Sequence, residues 1–233
     1  MVLATRGQDA IDGLKEAHRS QRELIAYFGS LVASRRVQPR EDLLSALIAS
    51  ELDGNILDDA ELIAMCVLLL FAGHETTQHL IGNGVLALLE HSAELERLRA
   101  DPALIGRAVE EFLRFDCPVQ ATGLRATADL EMRGCHIQAG EFLTPVIGAA
   151  NRDPTQFDDP NRLDVGRADN RHLAFAQGPH FCLGAPLARL EGQLAIGSLV
   201  QGFSALELAD PPVRRRHFYL RGLESLPVTV SPA

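Results

Sequence analysis

The feature that most constrains this chain is a proline-free segment of roughly 30 residues, 58–90, which opens on the helix-capping residue Asp58. From Ile63 to Ala72 its apolar residues occupy nearly every face of a helix, which predicts a helix buried through the middle of the fold. This apolar run is cut by His74 and Glu75 after about 11 residues, whereas a membrane-spanning helix needs ~20. The sequence therefore predicts a long core helix and no transmembrane segment.

The rest of the first half predicts further helices. Apolar residues recur at helical spacing from Gln8 to Arg36, and a second, short helix is expected to end near Ile48. Two more helices follow His91. They are separated at Asp101–Pro102, a helix-start signal, and the second ends near Phe115.

The second half has a different character. Between Val119 and Phe142, short alternating stretches separated by glycines predict small hairpins. Residues 151–171 form an irregular segment, and loops of such length are uncommon unless they are functional. A loop rich in glycine and proline, 175–184, leads into a helix from about Ala185 to Gln201. The predicted fold class is mainly α with small β-sheets (α+β).

Length, charge and cysteine content narrow the choice of protein class. A chain of 233 residues suits one large domain, so we expect a single domain over 1–233. The formal net charge is −9 and there is no basic block, so nucleic acid is not an expected partner. Its 4 cysteines include no CxxC pair and follow no secretory signal, which favours free thiols in a cytoplasmic protein.

Cys182 has the most informative setting of the four cysteines. It ends a loop that carries Gly178 and Gly184, directly before a predicted helix. Free amides and the positive end of the helix dipole favour an anion there, so the thiol is suited to act as a nucleophile, a redox group or a metal ligand. Glycine on each side allows a planar group to approach the backbone. A buried, purely structural cysteine is the alternative.

A second candidate site lies inside the long helix, where residues 72–77 read Ala-Gly-His-Glu-Thr-Thr. A carboxylate such as Glu75 is costly among apolar neighbours unless it has a partner. Gly73 removes a side chain where another group could approach, and Thr76 could bend the helix. An acid–alcohol pair of this kind can pass protons. Alternatively, Glu75 reaches the helix surface and Thr76 has no special role.

A third candidate is the segment 111–114, Glu-Phe-Leu-Arg. Glu111 and Arg114 are three residues apart, a spacing that allows a helical ion pair but also occurs at several pairs expected to be solvated. Glu111 and Arg114 differ from those solvated pairs in their position, because they lie at the end of the last helix before the strands and loops that lead to Cys182. Arg167 could add a second guanidinium to Glu111.

In order and separation, these segments resemble the cytochrome P450 superfamily of haem-thiolate monooxygenases, in its soluble bacterial branch. Residues 175–184, Phe-Ala-Gln-Gly-Pro-His-Phe-Cys-Leu-Gly, resemble the cysteine-ligand signature, and 72–77 resemble the oxygen-activation motif. Glu111, Arg114 and Arg167 resemble the structural ion-pair triad. The likeness extends over nearly the whole chain, including Asn151–Pro154 and Leu220–Leu223.

The resemblance implies a fold and a domain plan. The chain would be the C-terminal, haem-ligand portion of a cytochrome P450 whose N-terminal part is missing, so that the substrate pocket is incomplete. Residues 1–116 would be mainly helical around the oxygen-activation helix at about 58–90, and 117–233 would hold small sheets, the meander, the cysteine-ligand loop and the following helix.

The resemblance also implies roles for individual residues. Cys182 would be the axial thiolate ligand of the iron of heme b, with Phe175 packed beside it and His180 at a haem propionate. Thr76, with Glu75, would deliver protons during oxygen activation. The groove for oxygen would lie at Ala72 and Gly73, the other cofactor contacts at Gly178 and Gly184, and the substrate-facing positions at Val119, Gln120, Ala121, Tyr219 and Leu220.

The activity implied is insertion of one oxygen atom from O2 into a small organic substrate. Electrons would come from a ferredoxin-type or flavin-containing redox partner that docks on the cysteine side. No membrane or nucleic acid is expected as a partner.

The sequence departs from the family pattern at two residues besides its length. Ala176 stands where bacterial members usually have glycine, which implies a slightly stiffer loop. Leu124 stands where an arginine usually holds a propionate, and the adjacent Arg125 would point to the opposite face of a strand.

Three alternatives remain open. The chain could be a haem-free, inactive remnant that acts as an interaction or inert domain. It could be a zinc protein that uses His172, His180 and Cys182, although a fourth ligand is missing. It could also bind haem and use peroxide, but the threonine–acid pair favours O2 because peroxide is already reduced and protonated.

Overall fold

The structure is a computed structural model that describes residues 7–50 and 57–232, with side chains from residue 13 onward. Helices dominate, and the short strands form antiparallel pairs, so the predicted class, mainly α with small sheets, is confirmed. The α-helices in these ranges are α1 Gly7–Val37, α2 Leu43–Ala49, α3 Asp59–Glu90, α4 Ser92–Ala100, α5 Ile105–Phe115, α6 Ile147–Ala150 and α7 Ala185–Gly202. Short 3₁₀ turns span Pro102–Leu104 and Gly178–His180.

The chain divides into two compact units, residues 1–72 and 73–233, and the boundary falls inside α3. The described part of the first unit holds α1, α2 and the start of α3. Its second helix begins after Asp42, because the Asp42 carboxylate accepts a hydrogen bond from the Ser45 amide (2.8 Å) and caps α2. A single domain over 1–233 stays a prediction.

The core of the second unit lies where the end of α3 meets α4, α5 and α7. Phe112 on α5 and Ile196 on α7 are fully buried there. A Cβ atom at Gly84 of α3 would lie 2.9 Å from both of these side chains. The glycine therefore lets α3 approach the other two helices closely, and this fixes the frame on which the loops are mounted.

The prediction that α3 is buried from Ile63 to Ala72 is wrong in position. Leu68 and Phe71 are exposed, whereas residues 83–88 are buried. The reason is the set of available neighbours: among the described residues of the first unit only α1 and α2 can cover the early part of α3, but the later part lies among three helices.

The strands form small antiparallel pairs. β1 Leu124–Arg125 pairs with β4 Phe142–Leu143, and β2 Leu130–Met132 pairs with β3 Cys135–Ile137. Of the small hairpins predicted between Val119 and Phe142, β2–β3 is one, and the β1–β4 pair encloses it. Near the C-terminus the pairs are β5 Phe203–Leu208 with β8 Val228–Pro232, and β6 Val213–Arg214 with β7 Leu223–Ser225.

By length and mean hydropathy alone, α3 is also suited to cross a membrane. This finding is weak, since the central helix of a soluble protein passes the same criterion. The absence of a transmembrane segment therefore stays a prediction.

Candidate active site

Cys182 lies between the 3₁₀ turn Gly178–His180 and the first turn of α7. Its amide donates to the Phe175 carbonyl (3.0 Å), and its own carbonyl accepts from the amide of Ala185 (3.2 Å), so the loop is folded back and joined to the helix. The side chain of Cys182 is half-buried, and the adjacent Leu183 is 90 % exposed. The structure thus presents a thiol beside apolar surface, directly before the first turn of α7.

The loop before the cysteine contains a strained residue. Ala176 has φ of +57°, in the left-handed region where a Cβ atom is unfavourable, and Gly178 has φ of +75°. The expectation that Ala176 only stiffens the loop is therefore corrected, because the alanine is held in a conformation that suits glycine.

We expect Ala176→Gly to stabilise the protein by about 1 kcal/mol, since glycine relieves the left-handed strain and loses only part of that gain to unfolded-state entropy. Urea unfolding followed by circular dichroism measures the change. Gly178→Ala is the matched control and should move the free energy of unfolding in the opposite direction. Equal stability of the two variants would contradict this account of the loop.

Behind the cysteine loop, Glu110 of α5 joins three parts of the second unit. The Arg189 guanidinium of α7 donates to both of its oxygens (2.7 and 2.9 Å), and His172 Nε2 lies 3.1 Å from Oε2. Partial burial opposes ionisation, but the hydrogen bonds from His172 and Arg189 outweigh it and lower the pKa of Glu110 to about 2. Arg189 also lies over the Phe175 ring, 4.6 Å from its centroid. The network therefore also orients Phe175, the first residue of the cysteine loop.

Glu111, the next residue, faces a different part of the chain. Arg114 donates to both of its oxygens (2.8 Å each), and Arg167 Nε donates to Oε2 (3.1 Å). The Asp164 amide (2.9 Å) and the Asn170 side chain (3.1 Å) complete the shell, and the Glu111 and Arg114 side chains are 0 % exposed. The three residues proposed as a triad are therefore in contact, in a site closed to water.

Arg114 extends this site into the irregular segment. Its guanidinium donates to the carbonyl oxygens of Asn151 (3.0 Å), Pro160 (2.8 Å) and Arg162 (3.2 Å). A buried guanidinium with so many carbonyl acceptors fixes the backbone of 151–162, which explains how a long segment with little regular structure is ordered.

The segment 72–77 lies in the middle of α3. Ala72 and Gly73 are exposed, and a Cβ atom at Gly73 would meet nothing within 4 Å. The Glu75 side chain is 24 % exposed and forms an ion pair with Arg215, while Thr76 is half-buried. Glu75 thus has the partner that a carboxylate needs near apolar surface, and the helix is open at Gly73, one turn before Thr76.

The proposed substrate-facing residues form two neighbouring strands of chain. Val119 pairs with Leu220 in an isolated bridge, and the Gln120 amide donates to the Tyr219 carbonyl (2.8 Å). Tyr219 is exposed and Leu220 half-buried, whereas Ala121 is buried at 3 % exposure. Ala121 is therefore the buried member of the five positions.

Sequence reasoning missed a polar contact that holds this region to α3. Asn83 is buried, and its side-chain amide donates to the carbonyls of Asp116 (3.0 Å) and Arg221 (2.9 Å). The Asp116 carboxylate in turn pairs with Arg214 (2.9 Å) and Arg221. Sequence reasoning also missed the Glu110–His172–Arg189 network. The available signal was a second carboxylate, Glu110, which directly precedes Glu111 and faces a different element.

A haem needs one protein ligand to its iron and apolar surface over its ring, and the residues around Cys182 fit those needs. Cys182 is half-buried beside the exposed Phe181 and Leu183, and His180 is exposed two residues before it. The zinc alternative fits less well. Within the described ranges no group of three or more His, Cys, Asp or Glu side chains could hold a metal ion, and His172 is bound to Glu110.

Comparison with known proteins agrees with this arrangement. The family model described as Cytochrome P450 matches residues 8–223. The chain is 44 % identical over 228 residues to the polyketide biosynthesis cytochrome P450 PksS of Bacillus subtilis, covering 96 % of this chain and 56 % of the relative. It is 48 % identical over 215 residues to the vitamin D(3) 25-hydroxylase of Pseudonocardia autotrophica, covering 90 % and 53 %.

Solved structures give the same result. P450BioI, solved in complex with an acyl carrier protein ligated to hexadec-9Z-enoic acid, superposes with a TM-score of 0.91 at 43 % identity, over 97 % of this chain and 58 % of that one. The chain spans about half the length of the curated relatives it matches. With its family model matched over most of its residues, the chain belongs to the cytochrome P450 family.

Proposed function

We propose that this chain supplies the cysteine-ligand half of a haem-thiolate monooxygenase, which inserts one oxygen atom from O2 into a small organic substrate. The observation that carries the proposal is the half-exposed Cys182 at the start of α7, in a loop fixed by hydrogen bonds at both ends. When bound, heme b supplies the activation of O2, which the electron-rich thiolate ligand favours. One oxygen atom enters the substrate and the other leaves as water, with uptake of two electrons and two protons.

The chain's own residues hold the ligand and move protons. Phe175 holds the loop through its carbonyl, which accepts from the Cys182 amide, and Gly178, His180 and Gly184 of the same loop would contact the cofactor. Glu75 and Thr76 hold a proton at a carboxylate and a hydroxyl next to the open space at Gly73.

Glu111, Arg114 and Arg167 have a structural role in this proposal. Their buried ion pairs order the segment before the cysteine loop and do not touch the reacting groups. The substrate would meet Val119, Gln120, Tyr219 and Leu220, with Ala121 behind them.

Electrons would be delivered by a ferredoxin-type or flavin-containing partner on the cysteine side, in the cytoplasm. Exposed leucines at position 183, in the cysteine loop, and at positions 187, 190 and 194 of α7 would offer apolar contact area to that partner.

The test is the carbonyl absorption of the reduced protein. We expect the 233-residue chain, purified with haem supplied during expression, to give the shifted absorption of thiolate-bound ferrous haem. Cys182→Ser should abolish the shift, because serine is not a thiolate donor. Cys135→Ser, at an exposed cysteine of β3, is the matched control and should retain it.

Two results would contradict the proposal. Purified chain without haem would favour the haem-free alternative, and a shifted absorption retained in the Cys182→Ser variant would show that another group is the ligand.

A further inference from the structure

His79 is a buried titratable residue to which the proposed function gives no role. It lies one helical turn after Glu75 on α3 and is 3 % exposed. Its Nε2 atom is buried and has no hydrogen-bond partner in the described part of the chain. Gly222 presses against the other side of the ring, since a Cβ atom there would lie 2.0 Å from Nδ1. A buried polar atom without a partner is rare and asks for an explanation.

The nearest acceptor to Nε2 is the Glu75 carboxylate. Oε1 lies 3.6 Å away, just beyond hydrogen-bonding distance, and the same oxygen forms the ion pair with Arg215. Arg215 is exposed to solvent, whereas His79 is enclosed. Glu75 therefore lies between an outer partner, which it holds, and an inner partner, which it almost reaches.

We propose that His79 is a positioning residue for Glu75 and offers the carboxylate a second, inner hydrogen-bond position that alternates with the ion pair to Arg215. A rotation of the Glu75 side chain is sufficient for the exchange, and no proton changes owner. The neutral ring donates from Nε2, and the exchange gives that N–H its acceptor. The inference deepens the proposed function in one respect, since Glu75 is there the proton-carrying acid.

The electrostatics of the pocket suit a neutral donor. Burial lowers the pKa of His79, Glu75 raises it, and Arg215 and His217 lower it, with a net result below the ordinary value of 6.5. These are the charged or titratable groups that act on the ring: one comes from α3 itself, and two from the segment before Gly222. A ring that is neutral near pH 7 carries a single N–H, and its position decides whether it can donate to Glu75.

The test reads the ring directly. We expect long-range proton–nitrogen spectra of the full chain, with histidine labelled by nitrogen-15, to show the His79 ring neutral at pH 7 with its proton on Nε2. His79→Asn assigns the signal among the 8 histidines, and the exposed His136→Asn is the matched control. A ring with its proton on Nδ1, and a bare Nε2 facing Glu75, would overturn the proposal.

Two further variants separate positioning from simple burial. Glu75→Gln removes the anion and should lower the pKa of His79, whereas Arg215→Gln frees the carboxylate and should raise it. Arg215→Gln should also move the Glu75 carboxyl signal, as the carboxylate takes the inner position. If the His79 titration is the same in all three proteins, the ring is uncoupled from Glu75 and the inference is wrong. None of these measurements requires haem, so loss of the carbonyl signature would not affect them.

Discussion

Glu111→Gln is expected to destabilise the protein by about 3–5 kcal/mol, the range for breaking a buried ion pair by removing one partner. The glutamine keeps the shape of the side chain but leaves the fully buried guanidinium of Arg114 and the partly buried one of Arg167 without their anion. The free energy of unfolding in urea, followed by circular dichroism, measures the loss.

The chain provides a matched control for this variant. Glu16 and Arg19 of α1 have the same three-residue spacing and form an ion pair, but both side chains are exposed to solvent. Glu16→Gln should therefore change the free energy of unfolding by less than about 0.5 kcal/mol. A loss of similar size in both variants would mean that spacing, and not burial, decides the strength of the pair.

The second large effect is a pH dependence that originates at Glu110. Its pKa falls from 4.5 to about 2 on folding, so the native state binds its proton less readily than the unfolded state does. The stabilisation is present above pH 4.5 and is lost as the pH falls toward 2, and the size of the pKa change corresponds to about 3 kcal/mol. We expect the stability difference between wild type and Glu110→Gln to shrink by about that amount between pH 6 and pH 2.

Asp169 is the control for Glu110. It also pairs with an arginine, Arg171 (3.1 Å), but both side chains are exposed to solvent. Asp169→Asn should follow the wild-type stability closely over the same pH range, because solvent screens the pair. A wild-type curve parallel to that of Glu110→Gln would show that His172 and Arg189 do not stabilise the carboxylate.

Local signals in the sequence were sufficient to predict most of the elements. Asp101–Pro102 separates the two helices that the structure places on either side of it, and Gly134 marks the turn of the β2–β3 hairpin. These signals act over a few residues, where capping and turn geometry determine the backbone.

Burial could not be predicted in the same way, because it depends on distant partners. Glu16–Arg19 and Glu111–Arg114 have identical spacing, but partners distant in sequence, among them Arg167 and the amide of Asp164, enclose the second pair. The early part of α3 shows the opposite error, because it was predicted to be buried and is largely exposed. Its composition is that of a core helix, but composition does not state which elements will cover it.

The conformation of Ala176 was hidden for a different reason. The resemblance identified the position as one that usually carries glycine, but an alanine gives no sign of its own backbone angle. The left-handed φ follows from the way the loop returns to place the Cys182 amide on Phe175.

Glu110 and Glu111 are neighbours on α5, yet one is bound to α7 and the other to the irregular segment. A helix turns by about 100° from one residue to the next, so two consecutive carboxylates can serve partners on different sides. Inserting or deleting a single residue ahead of this pair would rotate both away from their partners together. α5 thus fixes the rotational position of both carboxylates at once. During evolution it should tolerate insertions and deletions far less well than substitutions on its solvent-facing side.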